Sequence, residues 1–267
     1  MTTIGEQLKK FRLSMGLSQT SMAAGVVSTS FYSKLEVDKN KISIDKLVKI
    51  LNAHHISFYD FFEAFDEENL PYIKFQKEIY LYFENRDLDK LDELKNKLTP
   101  EETLLYYELK LIIANLKNLP LNIPQDVQTQ LKDYLRYSPE KQADFWNLAV
   151  SMPLYDFDEL TGIVNEILDK SSEIDYSSQQ TVVSLMNVLI GYLDRCYREK
   201  DRAAALKVID FVNSMPYSFD IIFHKLIVKY YLALINNEDQ TAQDIINLIS
   251  ESGYKHYAET LPKESLR

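Results

Sequence analysis

Hydroxyl side chains and a lysine lie close together in one short segment near the amino terminus, GVVSTSFYSKLE at residues 25–36. Ser28, Thr29, Ser30 and Ser33 can each donate or accept a hydrogen bond, and Lys34 favours the acceptors of guanine or a phosphate. Groups of this kind are suited to the base edges in a major groove of DNA. The first question is therefore which local structure would present them together.

The spacing around this segment predicts two short helices joined by a brief connection. Ser18 is expected to cap the first helix and Ser28 the second, because a serine oxygen at this position accepts an unpaired backbone N–H. The connection Gly25-Val26-Val27 gives the pair the dimensions of a helix-turn-helix. In that motif the second helix enters the major groove and the first crosses the phosphates. Tyr32 and Leu35 are then expected to turn toward the core.

The predicted DNA contacts come from both helices and from the loop after them. Phe31 lies at the edge of the exposed face, where it can contact a thymine methyl group. Gln19 begins the first helix, where exposed N–H groups favour a phosphate. Lys39 and Lys41 follow the second helix, where a loop would run beside the DNA backbone. The predicted DNA-binding residues are Gln19, Thr29, Ser30, Phe31, Ser33, Lys34, Lys39 and Lys41.

The charge of the chain is unevenly distributed. The 267 residues carry a net charge of −10, which argues against nucleic-acid binding over the whole surface. Residues 1–66 contain eight basic and seven acidic residues, whereas 67–267 contain 22 and 33, so the net charges are +1 and −11. The first part can therefore present a local basic face, and the acidity belongs to the second part.

The helical pattern predicts an all-α protein with two domains. Only six glycines and eight prolines interrupt the chain, which favours long helices over many short strands. Residues 1–66 predict five short helices, the fifth after Ser57, and 67–267 predict alternating longer and shorter helices with a period of roughly 40 residues, as in helical-repeat proteins. An irregular helical bundle is the alternative for the second part.

Four segments in residues 4–62 carry a resemblance to a known family. They are IGEQLKKFRLSMGLSQ, the pattern SxSxxSKLE, ISIDKLVKIL and FYDFF. They look like the xenobiotic-response-element type of helix-turn-helix, and GVVSTSFYSKLE closely resembles the Rgg family of transcriptional regulators. The resemblance implies a five-helix, lambda-repressor-like domain at 1–66. It also implies a TPR-like helical-repeat domain at 67–267 that binds a short signalling peptide in quorum sensing.

The resemblance also implies roles for two charged residues. Arg12 and Glu36 match the positions that form an internal ion pair, which joins the first helix to the end of the recognition helix. One departure concerns the sequence Glu36-Val37-Asp38, which stands where the family usually has Arg-Gly or similar. Without glycine, a turn with positive φ must use Asp38 or Asn40, since Asp and Asn tolerate that conformation best.

Polar residues within the apolar helices of the second part are the candidates for peptide contact. An asparagine amide can hydrogen-bond a peptide backbone in both directions, and a buried arginine can bind a terminal carboxylate. Together they would hold an extended apolar peptide. Bonding to a neighbouring helix end, or facing water, is the alternative for each. The predicted peptide-binding residues are Asn147, Asn187, Tyr192, Arg195 and Tyr230.

The sequence lacks the patterns of the common catalytic and metal sites. His54 and His55 are adjacent and would point apart on a helix, and no Gly-rich phosphate loop or His-Glu zinc motif is present. Cys196 is the sole cysteine, so we expect a free core thiol. The sequence favours a regulator over an enzyme, with no cofactor or metal. No apolar run is long enough for a membrane span, so we expect a cytoplasmic protein.

The sequence-based hypothesis is a homodimeric, DNA-binding transcriptional regulator. One small helix-turn-helix buries little surface, so a two-fold dimer that binds paired half-sites would supply affinity and specificity. A protein-interaction scaffold built from the repeats is one alternative. A DNA-binding regulator without a peptide ligand is the other.

Overall fold

The computed structural model describes residues 2–58, 61–62, 65, 71–98, 103–136 and 145–264. This part of the chain is helical and contains no strand, so the all-α prediction is confirmed. Its contacts divide it into two compact units, Met1–Glu78 and Ile79–Arg267. The predicted domain boundary at 66–67 lies outside the described residues and stays a prediction.

The first unit contains four short helices with described bounds. They are α1 (Ile4–Ser14), α2 (Gln19–Ala23), α3 (Thr29–Leu35) and α4 (Ile44–Ala53). Thr3 and Glu6 form a capping box at the start of α1, and Gly16, with φ of 66°, follows its end. The predicted fifth helix lies partly outside the described residues. Phe58, Phe61, Phe62 and Phe65 are helical.

The core of the first unit fixes how α1 meets α3. Leu8, Met22, Tyr32 and Leu47 are fully buried in one apolar cluster. Gly5 of α1 lies so close to the end of α3 that a Cβ built on it would be 1.9 Å from the carbonyl oxygen of Leu35. A side chain at this position would therefore collide with main-chain atoms.

The second unit continues with eleven helices in the described residues. They are α5 (Pro71–Glu84), which begins in the first unit, α6 (Leu88–Lys97), α7 (Thr103–Lys117), α8 (Gln125–Tyr134), α9 (Phe145–Ser151), α10 (Phe157–Asp169), α11 (Gln179–Glu199), α12 (Arg202–Ser214), α13 (Ile222–Ile235), α14 (Asp239–Glu251) and α15 (Lys255–Thr260). Asp156, Ser178 and Asp201 cap three of these helices, as their position before the apolar pattern indicates. The short helix α15 was not predicted from the sequence.

The helices of the second unit form two layers. Helices α7, α9, α11 and α13 pack one against the next in chain order, and α8, α10, α12 and α14 pack on them. The long helix α11 lies at the centre of the largest apolar cluster, where Leu185, Leu189 and Leu193 are fully buried. None of the described helices is long and apolar enough to span a membrane.

Glu108 of α7 is a buried carboxyl group with a consequence for stability. It is 5% exposed, and burial raises its pKa from 4.5 to about 7. A raised folded-state pKa means that the protonated form is favoured in the folded protein. The stability associated with this proton is therefore fully present below pH 4.5 and is lost as the pH rises through 7.

We expect Glu108→Gln to stabilise the protein at high pH only. At pH 8 the free energy of unfolding should rise by about 2 kcal/mol, because glutamine removes the cost of a buried charge. At pH 5 the two proteins should differ by less than about 0.5 kcal/mol. Urea unfolding at both pH values measures this, with exposed Glu251→Gln as the matched control. An equal difference at pH 5 and pH 8 would contradict the assignment.

Candidate DNA-binding surface and ligand cavity

The connection between α2 and α3 is tight and begins with two residues in the left-handed region. Ala24 has φ of 50° and Gly25 has φ of 70°. Ser18 accepts a hydrogen bond from the Ser21 N–H and Ser28 accepts one from the Phe31 N–H, so both predicted serine caps are confirmed. Each cap satisfies one of the unpaired N–H groups at the start of its own helix.

The inner side of α3 is fixed by burial, which leaves its outer side free to face a partner. Tyr32 is 0% and Leu35 is 2% exposed, as the sequence predicted. Of the predicted DNA contacts, five side chains are exposed, namely Thr29, Ser30, Lys34, Lys39 and Lys41. The other three are half-buried, namely Gln19, Phe31 and Ser33. The structure thus leaves two hydroxyl side chains and three lysines exposed on α3 and in the segment after it.

An ion pair fastens α1 to the end of α3. Arg12 Nε donates to Glu36 Oε1 at 2.5 Å, and Arg12 Nη2 donates to Glu36 Oε2 at 3.1 Å. Gln19 Nε2 also donates to Glu36 Oε2, at 2.8 Å. Burial alone would raise the pKa of Glu36, but the hydrogen bonds from Arg12 and Gln19 outweigh it and hold the pKa below its ordinary value. Sequence reasoning missed this contact of Gln19, whose role at a phosphate stays a prediction.

The turn after α3 contains an aspartate in the left-handed conformation. Asp38 has φ of 56°, which confirms that Asp38 or Asn40 must adopt the left-handed conformation. Asp38 Oδ2 accepts a hydrogen bond from Thr3 Oγ1 at 2.8 Å, and the Lys39 N–H donates to the Lys34 carbonyl at 2.9 Å. The second bond keeps Lys39 beside the end of α3.

A narrow cavity lies inside the second unit, bordered by the ends of α5 and α7, by α9 and α11, and by α15. Its polar lining residues come from three of these regions, namely Glu84, Arg86, Asn115 and Asn187. Asn187 Nδ2 donates to Glu84 Oε1 at 2.5 Å, and His224 Nε2 lies 3.7 Å from Glu84 Oε2. The cavity holds about 30 Å³, which is room for a water molecule and far below the roughly 300–1,000 Å³ of a typical ligand pocket.

The first unit has a recognisable family pattern. Residues 8–61 match the helix-turn-helix family model. This match covers about a fifth of the chain and includes α2, α3 and the connection between them. No curated relative matches the chain at a significant level.

The whole chain resembles several solved structures in fold. The structure of the SHP pheromone receptor Rgg2 of Streptococcus dysgalactiae has a TM-score of 0.65 at 14% identity, over 96% of this chain and 99% of that one. A bacterial peptide pheromone/receptor complex has a TM-score of 0.65 at 19% identity, over 98% of each chain. The complex of PrgX with iCF10 has a TM-score of 0.64 at 18% identity, over 97% of this chain and 94% of that one. The predicted fold, a helix-turn-helix followed by helical repeats, is confirmed.

The predicted peptide-binding residues differ in whether they line the cavity. Asn187 lines the cavity. Tyr192 is buried, and its hydroxyl donates to Thr161 of α10, away from the cavity. The Tyr230 hydroxyl donates to the carbonyl of Pro262, after α15. The roles of Tyr192 and Tyr230 stay predictions, and their observed contacts lie within the unit.

The remaining two predicted residues do not line the cavity. Arg195 Nη2 lies 3.8 Å from Glu199 Oε1, and its buried Nε has no partner among the described residues. Asn147 is half-buried on α9. Sequence reasoning also missed Arg86, which lines the cavity from the turn after α5. No apolar periodicity covers this turn, so the sequence offered no signal to single it out.

Proposed function

We propose that the chain is a sequence-specific DNA-binding transcriptional regulator. The proposal rests on three exposed residues of α3, namely Thr29, Ser30 and Lys34. Their side chains can hydrogen-bond base edges, and they lie in a segment that matches the helix-turn-helix family model. Lys39 and Lys41 would contact phosphates beside it. We propose that the protein recognises DNA rather than catalysing a reaction, and that it acts in the cytoplasm.

We propose further that the second unit binds a short, largely apolar peptide and that two copies form a dimer. The likeness in fold to structures described as a pheromone receptor and a pheromone/receptor complex supports the peptide ligand. Peptide binding would shift the equilibrium between conformations of the repeats. This shift would change the distance between the two helix-turn-helix domains of the dimer.

Lys34→Ala tests the DNA-binding proposal. Operator affinity should fall by a factor of about 5–150, the equivalent of losing one good base contact at about 1–3 kcal/mol. The probe is the tightest-binding duplex recovered from a random-sequence selection with the wild-type protein, and binding is measured by fluorescence anisotropy at fixed salt.

The control is Lys10→Ala, which removes an exposed lysine of α1 outside the α2–α3 pair. This variant should bind the duplex within about twofold of wild type. If Lys34→Ala binds the duplex as tightly as wild type does, α3 is not the recognition helix. A DNA-binding regulator should bind DNA through phosphate contacts, and this binding should weaken as the salt concentration rises. If the selection recovers no duplex at all, the scaffold alternative gains support.

A further inference from the structure

The connection between α12 and α13, with the first residue of α13, exposes three large apolar side chains. Tyr217 is fully exposed, Phe219 is 93% exposed and Ile222 is 67% exposed. They lie within one six-residue stretch, and we call them the aromatic patch. Single exposed apolar residues are common on protein surfaces, but a group of them edged by polar residues marks an interaction site.

The segment that carries the aromatic patch is anchored at both ends. Met215 and Ile221 are buried in the largest apolar cluster of the second unit. Between them, the Ser218 hydroxyl accepts a hydrogen bond from the Asp220 N–H at 3.2 Å and donates one to Asp220 Oδ2 at 3.0 Å. A bonded turn therefore presents the rings, which lowers the entropy that is lost when a partner binds.

Two opposite charges beside the aromatic patch lack an ion-pair partner. Asp220 is exposed next to Phe219. Lys225 Nζ lies 5.7 Å from the ring centroid of Tyr217 and donates to the carbonyl of Met215. Within the described residues, neither Asp220 nor Lys225 has an opposite charge within 4.0 Å. Each is therefore available to an opposite charge on a partner.

A second copy of the chain would satisfy both charges at once. A two-fold dimer uses the same surface on each protomer, so when residue i meets residue j, j also meets i. Asp220 of one protomer can then pair with Lys225 of the other, and symmetry supplies the reverse pair. A surface with one unpaired charge of each sign is in this way complementary to itself.

The apolar area of the patch is also suited to an interface between copies. An aromatic side chain contributes about 150–250 Å² on burial, so the two rings provide about 300–500 Å² on each protomer. A standard interface takes about 800 Å² from each partner. The rings alone thus supply more than about a third of that area, as the apolar centre of an interface with charges at its rim.

We propose that the aromatic patch is the surface through which two copies of the chain associate. This inference rests on the proposed dimer and names the residues that form it. Tyr217 and Phe219 of each protomer pack against those of the other. The two symmetric pairs between Asp220 and Lys225 set the relative position of the protomers.

Analytical ultracentrifugation of the full-length protein over a concentration series tests the role of the rings. Phe219→Ser should raise the dimer dissociation constant by a factor of about 30 or more, the usual effect of truncating an aromatic anchor. Since Phe219 is exposed, this variant should fold as wild type does. Leu119→Ser is the matched control, because Leu119 is exposed after the end of α7, and its dissociation constant should stay within about twofold of wild type.

Charge reversal tests the symmetric pairing. Asp220→Lys and Lys225→Glu should each weaken self-association by a factor of about ten or more, because each places like charges opposite one another. A mixture of the two variants should form a mixed dimer, since both of its pairs have opposite charges. A role of these residues within one chain's own fold predicts no such recovery, and its absence would overturn the pairing.

The other outcomes separate the patch from the dimer. A wild-type protein that is monomeric at every concentration would overturn the proposed dimer and the patch with it. If Phe219→Ser and both charge variants self-associate as tightly as wild type, the patch is overturned and the dimer stands. If Phe219→Ser stays dimeric but loses binding of synthetic apolar peptides that wild type retains, the patch belongs to the peptide and the proposal is likewise overturned.

Discussion

Gly5→Ala is expected to lower the free energy of unfolding of the helix-turn-helix unit by about 3 kcal/mol, the upper part of the range for overpacking. The added methyl group would lie 1.9 Å from the main-chain oxygen of Leu35. A carbonyl at the end of α3 cannot rotate away as a flexible side chain can, so α1 and α3 must separate. The loss exceeds the gain of about 1 kcal/mol that alanine brings to a helix interior.

Hydrogen exchange of the α1–α4 amides in the full-length chain measures this effect. Gly162→Ala is the matched control, because Gly162 lies inside α10 and a Cβ there meets nothing within 4 Å. This variant should leave exchange of the α1–α4 amides unchanged and should slow exchange of the α10 amides by the equivalent of about 0.5–1 kcal/mol. Gly5→Ala with wild-type exchange rates would show that α1 does not pack on α3 at this distance.

The second large effect is expected for Arg12→Met, which should destabilise the first unit by about 3–5 kcal/mol. The change leaves Glu36 as a buried charge whose side chain is only 2% exposed, and Gln19 alone cannot satisfy it. The double variant Arg12→Met, Glu36→Met should recover much of the loss, since it removes both charges together. Hydrogen exchange of the α1–α4 amides measures the stability of the first unit in wild type, in the single variant and in the double variant.

Exposed Lys10→Met provides the control and should change stability by less than about 0.5 kcal/mol. The pH dependence adds a second test. Because the pKa of Glu36 is lowered on folding, the stabilisation by the ion pair is present above pH 4.5 and is lost as the pH falls through the folded-state value. If acidification lowered the stability of Arg12→Met by as much as it lowers the stability of wild type, this account would be contradicted.

Local signals in the sequence predicted most of the first unit. The caps at Ser18 and Ser28 depend on neighbouring N–H groups, and the inward position of Tyr32 depends on helical spacing, so both are encoded within a few residues. Asp38 was predictable for the same reason, because few other residues near it adopt positive φ readily. The close contact of Gly5 with Leu35 joins distant positions and left no local trace.

The cavity of the second unit was harder to predict, because it depends on which helices meet. Asn147 and Asn187 are both asparagines within apolar helices, but Asn187 contacts Glu84, 103 residues away, and lines the cavity, whereas Asn147 does not line it. Tyr192 and Tyr230 follow the apolar period, which cannot separate core residues from cavity walls. Arg86 lies in a turn and α15 has only six residues, so neither produced a periodic signal.

A footprint of the purified full-length protein tests the central claim most directly. The DNA is the sequence flanking its own gene, at about 100 mM salt, with and without short peptides encoded nearby. The account predicts two protected half-sites whose protection shifts when peptide is added. Absence of protection there, and of any duplex from a random-sequence selection, would contradict it.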